Sequence, residues 1–233
     1  MTEKRFALII PAAGSGSRLG NSTPKPYLEI AGAAILEHTL NRFSQFSNLQ
    51  EVIVATSAGY RDQTREILNR VFPGIKTQVS DGGEERQDSI SNALEKISAD
   101  VDLVAVHDAV RPFITHEVIS ACLERAAVDG GAIVAVHAKD TIKISNRKGI
   151  VLSTPDRSNL WQAQTPQIFQ IDIIRKAYRN AAEKNLSGTD DSSLAEQVGG
   201  QVALIEGNRE NFKITYPLDL QLAELLLNNK KGL

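Results

Sequence analysis

The stretch FALIIPAAGSGSRLG, residues 6–20, sets the reading of the whole chain. Five apolar residues run straight into alanine, glycine and serine, which is the pattern of a buried strand ending in a loop of tiny side chains. Such a loop lets backbone N–H groups come close to anionic oxygens. In open α/β sheets, ligands bind just outside the carboxyl ends of the strands, where this loop falls. Two familiar loops are excluded. The spacing Gly14-x-Gly16-x-x-x-Gly20 misses the dinucleotide fingerprint by one residue. The next strand-like run, EVIVATS, also lacks the acidic residue expected about 20 residues on. No Gly-Lys-Ser/Thr follows, so the loop is not a P-loop.

Outward from this loop, apolar runs alternate with helix-like stretches. AILEHTLNRFSQF (34–46) follows the loop, and EVIVAT (51–56) precedes RDQTREILNRVF (61–72). LVAVHD (103–108) precedes HEVISACLERAAVDG (116–130), and AIVAVH (132–137) comes next. Near-continuous Val/Ile/Leu/Ala strands separated by helices predict a parallel sheet covered on both faces, hence an α/β fold of Rossmann-like type. Residues 138–162 interrupt the alternation. TIKIS and IVLST flank the turn-forming NRKG, so a β-hairpin is inserted there. Near the end, NFKIT (211–215) reads as a late strand and the stretch after Pro217 as a proline-started helix. With no repeat and no long linker, residues 1–233 read as one domain.

Composition narrows the function classes. The chain has 233 residues, 42% hydrophobic and 23% charged, with a formal net charge of −2. That is the balance of an ordinary globular protein able to bury a core without staples. The charge argues against nonspecific nucleic-acid binding, which demands a basic surface. A small anion needs only a few well-placed cations. The single cysteine, Cys122, excludes a disulfide framework and a Cys-rich zinc site, and a cytoplasmic location fits it. No run approaches the roughly 18 apolar residues of a membrane span, and the N-terminal run reads as a first strand, not a signal peptide.

Three constellations carry chemistry. Pro11, Ala12, Ala13, Gly14, Ser15 and Gly16 form the first, with Arg18 and Lys25 adding the fixed positive charge a triphosphate needs. Alone, it is equally a glycine-rich turn with surface cations. In the second, Gly82-Gly83 precede a helix over SISNALEKI, whose N-terminus favours anionic or polar ligand groups. Alone, it is a turn capped by Asp88 or Ser89. In the third, His107-Asp108-Ala109-Val110-Arg111 places a carboxylate at the end of a buried strand, costly unless it is paired, metal-bound or solvated. Arg111 either pairs with Asp108 or binds a phosphate, and His107 serves packing or support. Weaker signals are Thr141 and Lys143, Asp156-Arg157, Gln162 to Gln167, Thr189-Asp190-Asp191, and Lys213, which by default is a solvated charge.

No Ser/His/Asp set, Cys/His pair or helical His pair stands out, so an activated protein nucleophile or a His-held metal is poorly supported. Attack by a substrate phosphate on a nucleotide's α-phosphorus needs neither, since phosphate is already mostly anionic at pH 7. Catalysis then rests on positioning and charge neutralisation by Arg, Lys, backbone amides and magnesium.

Taken in order, PAAGSGSRLG, PKPYLEI, ILEHTL, GGEERQDSI, VHDAVRP, DTIK, Asp156-Arg157, LWQAQTPQIF, TDDSSL and EGNRENFKIT followed by P-x-D-L resemble the 2-C-methyl-D-erythritol 4-phosphate cytidylyltransferases of the non-mevalonate isoprenoid pathway. The resemblance implies a nucleotidyltransferase sheet fold and transfer of CMP from CTP. It implies that Ala12, Ala13, Gly14, Gly82 and Ser89 line the cytosine and ribose pocket, with Pro11, Ser15, Gly16, Gly83, Asp108 and Ala109 beside them. Arg18, Lys25 and Lys213 are then the catalytic cations. Asp108, Arg111, Thr141, Arg157, Thr165 and Lys213 hold the sugar-alcohol phosphate. The 138–162 insertion corresponds to a β-arm that interlocks two subunits, with Arg157 serving the partner's site in a homodimer. Magnesium is held mainly by CTP phosphates, with Asp108 a possible further contact. Departures from the family pattern are Val110, Pro26 and Asp191. HDAVRPFIT also resembles the ribitol-5-phosphate cytidylyltransferases, which stay open as an alternative. A nucleotide-sugar glycosyltransferase would need a DxD-like metal pair where Asp108 stands alone. A CTP sensor would leave Arg18, Lys25 and Lys213 unexplained.

Overall fold

The computed structural model of the chain describes residues 4–14, 23–98 and 100–230. Ser15, Gly16 and Arg18 therefore lie outside the described residues. The main sheet is built from β1 (Phe6–Pro11), β4 (Leu49–Thr56), β5 (Lys76–Asp81), β6 (Leu103–Val106), β7 (Gly131–His137), β10 (Trp161–Gln170) and β11 (Ala203–Glu206). Its strand order is β5-β4-β1-β6-β10-β7-β11. All neighbouring pairs are parallel except those of β10, which runs antiparallel to both β6 and β7. The expected parallel sheet is thus mostly parallel. The exception lies in the LWQAQTPQIF stretch, whose polar residues do not read as a core strand.

Period-two alternation divides the strand side chains between two cores, as it must when both faces are covered. Phe6, Leu8 and Ile10 of β1, Val52 and Val54 of β4, and Leu103 and Ala105 of β6 face one side. There they pack on α1 (Ile35–Asn41), α2 (Arg61–Val71) and α4 (His116–Asp129) through residues such as Leu36, Leu40, Ile67 and Ile119. Ala7, Ile9, Ile53, Val104 and Val106 face the other side. They meet α3 (Arg86–Leu94), α5 (Ile171–Lys184) and α6 (Asp191–Gln197) through Ile90, Ala93, Ile174, Ala177 and Leu194. Full burial of one such Leu or Ile is worth about 1.5–3 kcal/mol, so these two layers dominate the favourable side of folding.

A smaller cluster joins the proline-started helix α7 (Pro217–Lys230), through Ala223 and Leu227, to Ile30 of β2 (Glu29–Ile30), which pairs with β3 (Ala33–Ala34). β8 (Ile144–Ser145) and β9 (Val151–Ser153) pair antiparallel and are exposed, which is the expected hairpin in short form. Residues 211–215, expected as a strand, form none. Their polar groups are taken one by one by the rest of the fold: Ile214 N–H donates to Val110 O at 3.0 Å, and Arg111 Nη1 donates to Asn211 O at 2.7 Å. Lys25 Nζ donates to Thr215 O at 3.0 Å. Among the described residues, no helix is long and apolar enough to cross a membrane.

Candidate active site

The chain reverses its direction of sheet growth at β1, which has β4 on one side and β6 on the other. That switch point opens a crevice at the carboxyl ends of the two strands. Ala12 N–H donates to Ala55 O at 2.7 Å, fixing the start of the first loop beside β4. After β6, His107 N–H still reaches Ile9 O at 3.0 Å, which delivers Asp108 to the crevice edge.

The second loop closes from β5. Gly82 N–H donates to Thr56 O at 2.9 Å, and a Cβ at Gly82 would stand 2.1 Å from Ala13 Cβ. Only glycine lets the two loops approach this closely. Gly83 N–H donates to Ser89 Oγ at 3.0 Å, and the Ser89 hydroxyl donates to Glu85 O at 3.2 Å. The N-cap of α3 is Glu85, not Asp88 or Ser89. Asp88 instead accepts the Glu85 N–H at 2.9 Å, the reciprocal half of a capping box, while Ser89 braces the glycine turn.

Arg86 is the first residue of α3, an unfavourable end of a helix dipole for a cation. Two carboxylates take its charge. Its Nε donates to Asp108 Oδ1 at 3.2 Å and its Nη2 to Asp191 Oδ2 at 2.9 Å. Asp191 is fully buried and also accepts from Tyr178 Oη at 2.5 Å. Asp108 Oδ2 meets Arg111 Nε at 3.2 Å and Lys213 Nζ at 3.1 Å. Asp108 is therefore a buried carboxylate bonded to three cations. Burial alone would raise its pKa, but Lys213, Arg86 and Arg111 hold it well below the usual carboxylate range. Burial works against the charge of Arg86, yet Asp191 and Asp108 together hold its pKa above the ordinary value. Lys213, expected by default as a solvated charge on a strand, is an ion-pair partner on a non-strand segment.

Beneath Asp108, its backbone N–H donates to Thr165 Oγ1 at 3.0 Å, and that hydroxyl lies 3.0 Å from His107 Nδ1. His107 is fully buried, and burial lowers its pKa to about 4. It supports Thr165 and is not exposed for chemistry, as its expected supporting role requires.

Two cavities adjoin here. One of about 500 Å³ is lined by residues 11–14, by Gly83 and Ser89, and by Lys25, Asp108, Ala109 and Lys213. The other, of about 320 Å³, is lined by Arg111, Thr165, Gln167, Thr189 and Asp190. Arg86, Asp108 and Lys213 line both. These volumes fall in the range of small-molecule sites. Gly82 does not line the first cavity. It shapes the wall by packing on Ala13. Thr141 and Arg157 line neither cavity, and Arg157 Nη1 instead donates to Lys139 O at 3.0 Å on the inserted segment.

Among the described residues, no three His, Cys, Asp or Glu side chains are grouped to hold a metal ion. Asp108 does not fit as a ligand either, since both its oxygens already face cations. Arg86 carries no role in the sequence reading, while Gln167 and Asp191 stand there only as weak polar signals. Arg86 stood inside the quoted GGEERQDSI without a role, and Asp191 read as the beginning of a helix. Asp190 does cap that helix, its carboxylate accepting from Ser193 N at 2.9 Å and from Gln167 Nε2 at 2.9 Å.

The chain matches the family described as IspD, 2-C-methyl-D-erythritol 4-phosphate cytidylyltransferase, over residues 6–229. It belongs to that family. It is 42% identical over 224 residues to the 2-C-methyl-D-erythritol 4-phosphate cytidylyltransferase of Symbiobacterium thermophilum, covering 96% of this chain and 93% of that one. The enzyme of the same description from Clostridioides difficile is 40% identical, with 97% and 95% covered. Among solved structures, the 4-diphosphocytidyl-2C-methyl-D-erythritol synthase of Anaerococcus prevotii superposes with a TM-score of 0.87 at 29% identity, covering 97% of each chain. The cytidylyltransferase of Thermus thermophilus gives 0.78 at 33% identity, with 96% and 99% covered. Family membership makes the chain a nucleotidyltransferase.

Proposed function

We propose that this chain transfers CMP from CTP to 2-C-methyl-D-erythritol 4-phosphate, giving 4-diphosphocytidyl-2-C-methyl-D-erythritol and pyrophosphate. The observation that carries the site reading is the shared wall of the two cavities. A transfer between two phosphates needs a nucleotide site and an acceptor site that meet at a cationic boundary. Here Arg86, Asp108 and Lys213 stand at that boundary.

In this reading, residues 11–14, Gly83 and Ser89 hold cytosine and ribose by backbone and small side chains, with Gly82 keeping the pocket narrow. Ser15 and Gly16 are assigned to the nucleotide as well. Lys25, at the edge of the larger cavity, and Arg18 neutralise the triphosphate. Arg111, Thr165 and Lys213 hold the acceptor phosphate in the smaller cavity. An oxygen of that phosphate attacks the α-phosphorus of CTP, a P–O bond forms, and the bond to the β-phosphate breaks. The leaving pyrophosphate carries away the electron pair, and no protein nucleophile is required. Charge builds on the equatorial oxygens of the α-phosphorus, where preorganised cations are worth most.

Magnesium, in this reading, travels with the phosphates of CTP and supplies charge neutralisation there. No side chain is assigned to it, because Asp108 is occupied by cations. Thr141 and Arg157 belong to the partner's site in a homodimer. Two observations support this: they stand outside the cavities of their own chain, and Ile144, Ile150, Val151 and Leu152 beside them are exposed. A cytoplasmic location completes the reading, compatible with one buried cysteine.

The test is pyrophosphate release from CTP and magnesium, with 2-C-methyl-D-erythritol 4-phosphate and D-ribitol 5-phosphate compared at equal concentration. Strong preference for the methylerythritol substrate is expected. Preference for the ribitol phosphate, or release with neither, overturns the reading.

A further inference from the structure

Three cations and two carboxylates form one network across the boundary of the cavities: Arg86, Arg111 and Lys213 against Asp108 and Asp191. Their tethers differ. Lys213 is the most exposed of the three, at 43% of its side chain, and among the described residues Asp108 is the one carboxylate it reaches. Arg111 is tied at its far edge to a backbone carbonyl, that of Asn211. Arg86 is tied at its far edge to a second carboxylate, Asp191, which Tyr178 holds in turn. Arg86 cannot swing toward a ligand without stripping a fully buried carboxylate of its ion partner, which is strongly unfavourable.

We propose that Arg86 is a positioning residue, the permanent counter-charge of Asp108, anchored by Asp191 so that Lys213 is free to leave the carboxylate for an incoming phosphate. The proposal rests on the reading of Lys213 and Arg111 as phosphate holders. Without a fixed partner, Asp108 would hold Lys213 and Arg111 more tightly the moment one was drawn away. The phosphate would then compete with a buried carboxylate for its cations. With Arg86 fixed, Asp108 keeps a counter-ion throughout, and the transfer of Lys213 costs little. The network also joins the turn before α6, where Thr189 and Asp190 line the smaller cavity, to the first residue of α3. Gln87 reinforces that joint, donating from Nε2 to Leu186 O at 3.0 Å and accepting Gly188 N–H at 3.0 Å.

Arg86→Met alone would orphan Asp191 and is expected to destabilise the fold, so the decisive variant is the double replacement Arg86→Met with Asp191→Asn. It removes both members of the buried pair and leaves the neutral remainder tolerable. The expected result is a folded protein whose KM for the polyol phosphate rises about tenfold, the worth of one charged hydrogen bond, while KM for CTP changes far less. Arg86→Lys, which keeps the charge, should fall between the double variant and the wild type. Equal changes in both KM values, or an unchanged KM for the polyol phosphate in the folded double variant, would overturn the proposal. A second readout needs no turnover: calorimetric titration with inorganic phosphate. Binding weakened about tenfold in the double variant supports the proposal on the same scale, and equal binding overturns it. A wild type that binds phosphate but does not turn over CTP with the polyol phosphate would instead count against the proposed function.

Discussion

The hydroxyl of Thr165, within β10, stands 3.0 Å from Nδ1 of His107, just after β6, a pair 58 residues apart. The opposite ring nitrogen, Nε2, faces the carbonyl oxygen of Arg111 at 3.1 Å. A carbonyl can only accept, so Nε2 carries the proton and the neutral ring offers Nδ1 as an acceptor. The Thr165 hydroxyl therefore donates to His107 and accepts the Asp108 N–H, and the whole chain of bonds requires a neutral imidazole.

That requirement sets an acid limit on stability. Burial lowers the His107 pKa from 6.5 to about 4. Between these values the unfolded state binds a proton that the folded state refuses, so stability is full above pH 6.5 and falls toward pH 4. The loss is on the order of 3 kcal/mol at most. Asp108, held below its usual range, adds a further loss as pH falls under the unfolded carboxylate value. Urea unfolding at a series of pH values should show this slope between pH 7 and 4, and His107→Gln should flatten it. An unchanged slope in the variant would remove His107 as its source.

Lys25→Met keeps the apolar stem and removes the ammonium that donates to Thr215 O at the edge of the larger cavity. Turnover should fall about a hundredfold or more, as when one preorganised charge-stabilising donor is lost. The melting temperature should move far less. Turnover close to the wild type would refute the assigned role of Lys25.

Gly82→Ala adds a methyl group 2.1 Å from Ala13 Cβ, and one loop must give way. KM for CTP should rise and stability should drop. Ala13→Gly in the same chain removes the collision and should restore CTP binding in part. Failure of that second change to help would show that Gly82 acts through something other than its contact with Ala13.

Arg157→Ala tests the proposed homodimer. If Arg157 serves the partner's site, Arg157→Ala mixed with Lys25→Met should regain activity, because one site of each mixed dimer keeps both residues. Refolding the two inactive variants together and assaying pyrophosphate release is sufficient. No recovery in a preparation shown to contain mixed dimers would place Arg157 in its own subunit's chemistry.

The strands and helices around the crevice were legible because burial on both sheet faces leaves a periodic record. FALII, EVIVAT, LVAVHD and AIVAVH each mark a strand of the main sheet, and the loops after FALII and LVAVHD line the larger cavity. Strand β10 left no such record. Its Gln164, Thr165 and Gln167 are buried polar residues whose bonds go to Asn211, Asp108 and Asp190, and a polar residue satisfied inside looks like one facing water. NFKIT carried the opposite false signal, since its apolar Phe212 and Ile214 pack into the cluster with α7 without pairing in a ladder.

What the sequence by itself determined is the α/β layering, the two glycine turns, Asp108 and Arg111 just after a buried strand, and Lys25 in the loop region after the first strand. Period-two and helical patterns are local, and the hydrophobic effect that reads them depends on one segment at a time. Only the tertiary structure decided which charges meet. Arg86 and Asp191 are separated by 105 residues, and Lys213 reaches Asp108 from a segment with no regular structure. An ion pair has no periodicity, and a partner distant in sequence, such as Lys213, alone reads as a solvated charge until folding brings it to Asp108.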